Sequence, residues 1–176
     1  MAATVDISET NGPSASSVET TDVSNLNFGS DDSAELTPAT YPITAQADGH
    51  AYEKWARFRV SALGGSTQID NLKVWKSAGA YKTDEGISTN MRESGYSAAS
   101  YPTAGPVETN SPDADQVMPV SEPSGANAGI GGALDGIITT SSPTYSDWMV
   151  LQLDVTENTP AGSLNTKTLT FQYDKQ

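Results

Sequence analysis

Few side chains in this sequence are of a kind that makes or breaks bonds. There is a single histidine, His50, and no cysteine. Serine-type nucleophilic catalysis needs a base of suitable pKa within reach of the hydroxyl. His50 lies in ADGHAY, which reads as a solvated turn, and no nucleophile motif surrounds any serine. Without thiols there is neither a disulfide framework nor a thiolate zinc site. The 22 carboxylates could supply the pair that glycoside hydrolysis requires, and the sequence neither selects nor excludes one. Asp31-Asp32 and Asp113-Ala114-Asp115 offer oxygens to a hard cation, but neither has the spacing of an EF-hand loop, so solvated turn acids are expected. Residues 125–136, GANAGIGGALDG, have the glycine content of a phosphate loop. They follow no strong strand, open no helix and lack the GKS/T ending. The expectation is no enzyme activity, no cofactor and no metal.

The side chains that remain are suited to adhesion. Five of the nine basic residues, Lys54, Arg57, Arg59, Lys73 and Lys76, fall within residues 52–77, as do Trp55 and Trp75. Exposed Trp and Arg together have the composition of interface hot spots. The candidate partner-binding residues are Trp55, Arg57, Arg59, Lys73, Trp75 and Trp148, with Thr4, Val5 and Ile7 from an N-terminal arm spanning residues 4–11. The three tryptophans, with Tyr81, Tyr96 and Tyr101, could alternatively form a platform on which sugars stack.

These residues are positioned by alternating strands. Ala56, Phe58, Val60 and Ala62 alternate with Trp55, Arg57, Arg59 and Ser61, and successive side chains of a strand point to opposite faces. Leu72 and Val74 alternate with Asn71, Lys73 and Trp75. Gly64-Gly65 between the two runs predicts a hairpin. Near the C-terminus, Met149, Leu151, Leu153 and Val155 share one face, with Trp148, Val150, Gln152 and Asp154 on the other. Residues 166–174 place Leu169, Phe171 and Tyr173 on one face after the turn in 157–163. The expected core is Phe58, Val60, Leu72, Val74, Met149, Leu151, Leu153, Leu169, Phe171 and Tyr173, which is thin for this length. If the alternation holds, the three tryptophans lie opposite this core, either exposed or covered by loops from 77–145.

The rest is lightly patterned. Val5 and Ile7 suggest a short first strand, residues 18–28 an exposed or edge strand, and 36–47, with its two prolines, an edge strand or crossover. Within 77–145, short strands are expected at 86–91, 116–120 and 133–139, among turns rich in Gly, Pro and Ser. No segment keeps a helical period. The prediction is an all-β fold, an antiparallel β-sandwich (Ig-like or jelly-roll-like) of about eight strands. Residues 1–35 form an acidic N-terminal arm with edge strands, and residues 36–176 form the sandwich with a long loop insertion at 77–145.

The chain is 176 residues long, with a formal net charge of −13. Nucleic-acid binding is not expected, because affinity for phosphates needs clustered Lys and Arg. No apolar run approaches a membrane span, and the N-terminus has neither the basic nor the apolar part of a secretory signal, so synthesis without export is expected. Residues 1–50 contain eight acids and no Lys or Arg. The basic run at 52–77 is therefore either solvated or set against acidic surface, the chain's own N-terminal part or a partner's.

Two blocks, EKWARFRVSA…IDNLKVWKSAGA (53–80) and YSDWMVLQLDVTENTPAGSLNTKTLTFQYD (145–174), resemble small structural proteins of tailed-phage virions. In that pattern a Trp-Lys-Ser strand end precedes a long loop, an S-D-[aromatic]-x-x-L-Q-L strand, a Pro-Gly-type turn and a closing T-x-T-x-x-[YW]-D strand. The turn here is Pro160-Ala161-Gly162, and the closing strand runs from Thr168 to Asp174. The resemblance implies a capsid decoration or cement protein on the virion exterior, made in the host cytoplasm, with the major capsid protein as partner and homo-oligomers as an option. A carbohydrate-binding adhesin module is the alternative.

Overall fold

The computed structural model describes residues 1–10, 18–29, 37–43, 50–96, 103–104, 116–162 and 165–176. Expectations placed on Asn11, Asp31, Asp32, Tyr101, Asp113 and Asp115 lie outside these residues. Among the described residues the chain is all-β. It has no helix, and so none long and apolar enough to cross a membrane.

The described residues form nine strands: β1 (Thr4–Thr10), β2 (His50–Ala62), β3 (Ile69–Ala78), β4 (Glu85–Glu93), β5 (Thr103–Ala104), β6 (Gln116–Val117), β7 (Thr144–Tyr145), β8 (Trp148–Val155) and β9 (Thr168–Lys175). All pairings are antiparallel. The larger sheet runs β1-β2-β8-β4-β6, with β5 and β7 pairing short stretches of β2, and the smaller sheet is β3-β9.

One core draws on both sheets. Phe58 and Val60 of β2, Leu72 and Val74 of β3, Ile87 and Met91 of β4, and Met149, Leu151, Leu153 and Val155 of β8 belong to a single buried cluster. The alternation of β2 and β8 sorts inner from outer side chains as expected. Leu169, Phe171 and Tyr173 of β9 are only half-buried against this cluster. The core is thicker than expected because the 77–145 region adds Ile87, Met91, Met118, Ala128, Ile130 and Ile138.

The expected hairpin does not form. β2 and β3 belong to different sheets, so residues 63–68 carry the chain from one sheet to the other. The apolar sides of both strands face the shared core, and each strand finds its ladder partners elsewhere: β2 with β1 and β8, β3 with β9. Gly64 is still required at the turn. Its φ is +72°, and a Cβ there would lie 2.4 Å from the carbonyl oxygens of Met1 and Ala2. Positive φ and close backbone approach are both tolerated by glycine alone at little cost.

The expected first strand at Val5 and Ile7 forms. β1 pairs along its length with β2 as the outer strand of the larger sheet. Residues 18–28 form no strand and meet β1 through a Glu9–Thr20 bridge and a bond from the Val23 N–H to the Ile7 carbonyl. Residues 37–41 make a turn closed by Thr37. The expected strand at 116–120 shrinks to β6, and that at 133–139 to single bridges at Ala133 and Ile138.

The glycine-rich stretch is a strap along β3. Asn127 grips the Val74 backbone twice, accepting from its N–H (2.7 Å) and donating to its carbonyl (2.8 Å). The N–H groups of Asn127 and Ala128 both reach the Leu72 carbonyl, and Ile138 exchanges bonds with Ile69. These contacts close the edge of β3 that faces away from β9.

Candidate functional site

The outward face of β2 carries Trp55, Arg57 and Arg59, and the chain's own acids meet it. Register places Asp6 of β1 opposite Arg59, and the two form an ion pair at 2.6 Å. Ser8 lies opposite Arg57 and donates to Glu19 at 2.5 Å. Arg57 grips Glu19 in bidentate fashion, Nε to Oε1 at 2.7 Å and Nη2 to Oε2 at 2.6 Å. A planar guanidinium matches a carboxylate in this way, as a lysine could not. On the inner face, the Lys54 Nζ sits 2.6 Å from Glu9 Oε1, with side chains only 2% and 0% exposed. The acidic N-terminal part therefore neutralises the basic strand, one of the two arrangements that the charge asymmetry allowed.

Aromatic rings complete this face. The Arg57 guanidinium stacks 3.6 Å from the Tyr145 ring centroid and 4.2 Å from that of Trp148. Trp55 meets Tyr96 edge-on at 5.2 Å and Trp148 at 6.4 Å. With Val150 these rings form a second buried cluster, in which Trp55 and Trp148 are 5% and 7% exposed. Loop residues cover both indoles, the alternative that the alternation left open. Trp75, on the outer face of β3, is half-buried. The described aromatics of the supposed sugar platform are thus not assembled on one surface: two buried tryptophans are packed together with half-buried Tyr96 against them, and Tyr81 lies beneath Lys76 and Lys167. Burial, then the charges of Glu85 and Asp154, push the Tyr81 phenol up to about 12.

The other candidate contacts are also engaged within the chain. Lys73 pairs with Glu122 at 3.0 Å. Lys76 donates to the Gly79 carbonyl at 2.5 Å. In β1, Thr4 is exposed, Val5 and Ile7 are half-buried, and Ile7 reaches a groove that the sequence did not reveal.

That groove has a volume of about 1510 Å³. Phe28 and Tyr41 line one side, Leu169 and Phe171 of β9 the other, and Ile87 and Val155 of the larger sheet are among its wall residues. Most of its lining comes from segments outside the strands, within 23–28, 38–43 and 157–167, set against the two-stranded and the larger sheet. Among the described residues its charged lining residues are Glu85, Lys167 and Glu157. Glu85 and Lys167 form an ion pair, which leaves Glu157, exposed on the turn after β8. Among the described residues no three His, Asp or Glu side chains converge as metal ligands. Leu169 and Phe171, expected in the core, pack against it while half-buried and also line this groove. Their partial exposure was hidden because alternation identifies a face without telling how much of it is covered.

Ionisation of these acids sets a testable pH profile. Burial opposes the charge on Glu19, but hydrogen bonds from Arg57 and Ser8, with the charges of Arg57 and Arg59, together hold its carboxyl below the ordinary 4.5. Burial raises Asp147 and Asp154 above 3.8, against donors from Gly132 and Gly131 and the Arg92 charge for Asp147, and from Ser88 for Asp154. A depressed carboxyl stabilises the fold above its unfolded pKa and loses that contribution as pH falls through the folded value; raised carboxyls act in the opposite sense. Urea unfolding from pH 8 to pH 3 should therefore give greatest stability in mild acid, with loss beginning near 4.5. Glu19→Gln should flatten the acid limb. A profile that declines steadily from pH 8 downward contradicts the assignment.

Set against protein-family models, curated protein sequences and solved structures, the chain matches none.

Proposed function

We propose that this chain is a non-enzymatic adhesion protein of a phage virion, of the capsid decoration or cement type. It binds the major capsid protein and stabilises the shell from its exterior, after synthesis in the host cytoplasm. The groove beside β9 is the observation that carries this reading. Its volume of about 1510 Å³ exceeds the roughly 300–1,000 Å³ of sites for drug-sized ligands and suits a segment of another polypeptide. Its lining exposes more apolar than polar surface, with Asn, Thr and Ser side chains among the apolar ones, a mixture found at protein-binding surfaces. The two sequence blocks that resemble virion proteins coincide with β2-β3 and β8-β9, the strands that build both sheets. In this reading the two sheets close as an antiparallel sandwich, Ig-like or jelly-roll-like, and the body rather than an arm makes the contact.

Co-sedimentation with purified capsid shells tests the proposal. Saturable binding at a fixed number of copies per shell, with no retention on a glycan array, is the expected result. Failure to bind shells, or glycan retention abolished by Trp75→Ala, would replace it with the carbohydrate-binding reading.

A further inference from the structure

We propose that the free edge of β9 is a strand acceptor: a partner's extended segment, uncharged within the groove and basic at its flank, adds to the smaller sheet beside β9. The inference rests on the adhesion reading above and specifies the partner's chemistry.

Three observations carry it. First, β9 pairs with β3 alone among the described residues, whereas the far edge of β3 is closed by the strap through Asn127 and Ile138. An open strand edge presents a row of unpaired N–H and C=O groups, and proteins normally blunt such edges with charge, proline or a bulge. From Thr168 to Tyr173 the strand reads TLTFQY, with no charge and no proline. The outward edge thus lacks charge and proline over six residues, about 20 Å of strand, and the register irregularities of the pair place their extra residues in β3 rather than in β9.

Second, the groove lies against this strand. Leu169 and Phe171 line it and are only half-buried. A strand laid beside β9 gains main-chain hydrogen bonds for affinity and covers these two side chains. Pockets for alternate side chains then give specificity, the usual division in strand addition. Depth alone would not bring a backbone to this place; the unpaired edge does.

Third, charge selects the occupant. Glu85 is neutralised by Lys167, and Glu157 is the remaining charged side chain of the lining. Among the described residues a charged side chain inside the groove would find no unpaired counter-charge, whereas a basic flank would meet Glu157. Arg57, Arg59, Lys54 and Lys73 are already paired with the chain's own acids, so they offer little to an acidic partner. A second copy is disfavoured for the same reason, since each carries a formal net charge of −13.

The test uses the full chain and a synthetic peptide of alternating valine and threonine with a lysine at each end, read by hydrogen–deuterium exchange. Saturating peptide should slow exchange at the outward amides of 168–173 by about tenfold or more, while β1 and β2 are unchanged. A peptide with proline at its centre should give no protection. Glu157→Lys, an exposed turn substitution that spares the fold, should weaken binding about threefold or more, with the difference shrinking in salt. The proposal is overturned if those amides are already protected in the free protein, or if their protection rises with protein concentration alone, which would mark self-association. Peptide binding without protection in β9 overturns it as well. Shell binding without β9 protection removes this inference and leaves the proposed function. Peptide protection without shell binding removes the virion reading alone.

Discussion

Glu9→Ala is expected to lower the free energy of unfolding by about 3–5 kcal/mol, because it removes the carboxylate 2.6 Å from the buried Lys54 ammonium. Both side chains of this pair are almost wholly removed from solvent and lie 2.6 Å apart. A charge in such a place depends on its partner, since each ion alone would have to be stripped of water uncompensated. Exposed ion pairs behave differently and contribute roughly 0–1 kcal/mol. The double variant Glu9→Leu with Lys54→Met removes both charges and keeps apolar volume. It should recover most of the loss, because buried pairs often gain little over well-packed apolar groups. Urea denaturation of the wild type, Glu9→Leu, Lys54→Met and the double variant forms a cycle that isolates the coupling. A single variant costing less than about 1 kcal/mol would mean that the pair is exposed in solution.

Trp148→Ala should be comparably damaging, at about 3–5 kcal/mol, with Tm lowered on the order of 10 °C. The indole is 7% exposed and packs against Trp55 and Tyr96 at 6.4 and 5.7 Å. It also forms one side of the slot holding the Arg57 guanidinium. Truncation removes a large packed volume and loosens the Arg57–Glu19 bond that ties residues 18–20 to the sheet. The fluorescence of Trp55 should shift to the red as water enters. If Trp148 were a surface anchor, the same change would leave Tm alone and abolish binding to a partner. Thermal unfolding followed by fluorescence separates the two.

The faces of the strands could be read from the sequence; their neighbours could not. Phe58 and Val60 against Arg57 and Arg59, and Met149, Leu151 and Leu153 against Trp148 and Val150, separate in the structure as alternation demands. A period of two fixes which side chains share a side but says nothing about which strand lies next. Gly64-Gly65 therefore suggested a hairpin where residues 63–68 instead cross between sheets. The acidic composition of the first fifty residues and the basic run after it contained the ion pairs in outline. Which acid met which base depended on the β1-β2 register, which sets Asp6 against Arg59 and Ser8 against Arg57. Tyr96, Tyr145 and the Asn127 clamp gave no local signal, because each acts on a strand far away in sequence. The groove is lined by segments far apart in sequence, within 23–28, 38–43 and 157–167, and no window of residues encodes that.

The proposed partner contact lies at β9 and the groove, away from the outer face of β2. The most direct measurement is a hydrogen-exchange footprint of the protein free and bound to capsid shells. Protection should appear across 168–173 and the groove wall at 23–28, with the outer face of β2 around Trp55 and Arg57 unchanged. Protection centred on that β2 face, with β9 exchanging as fast as before, would contradict it.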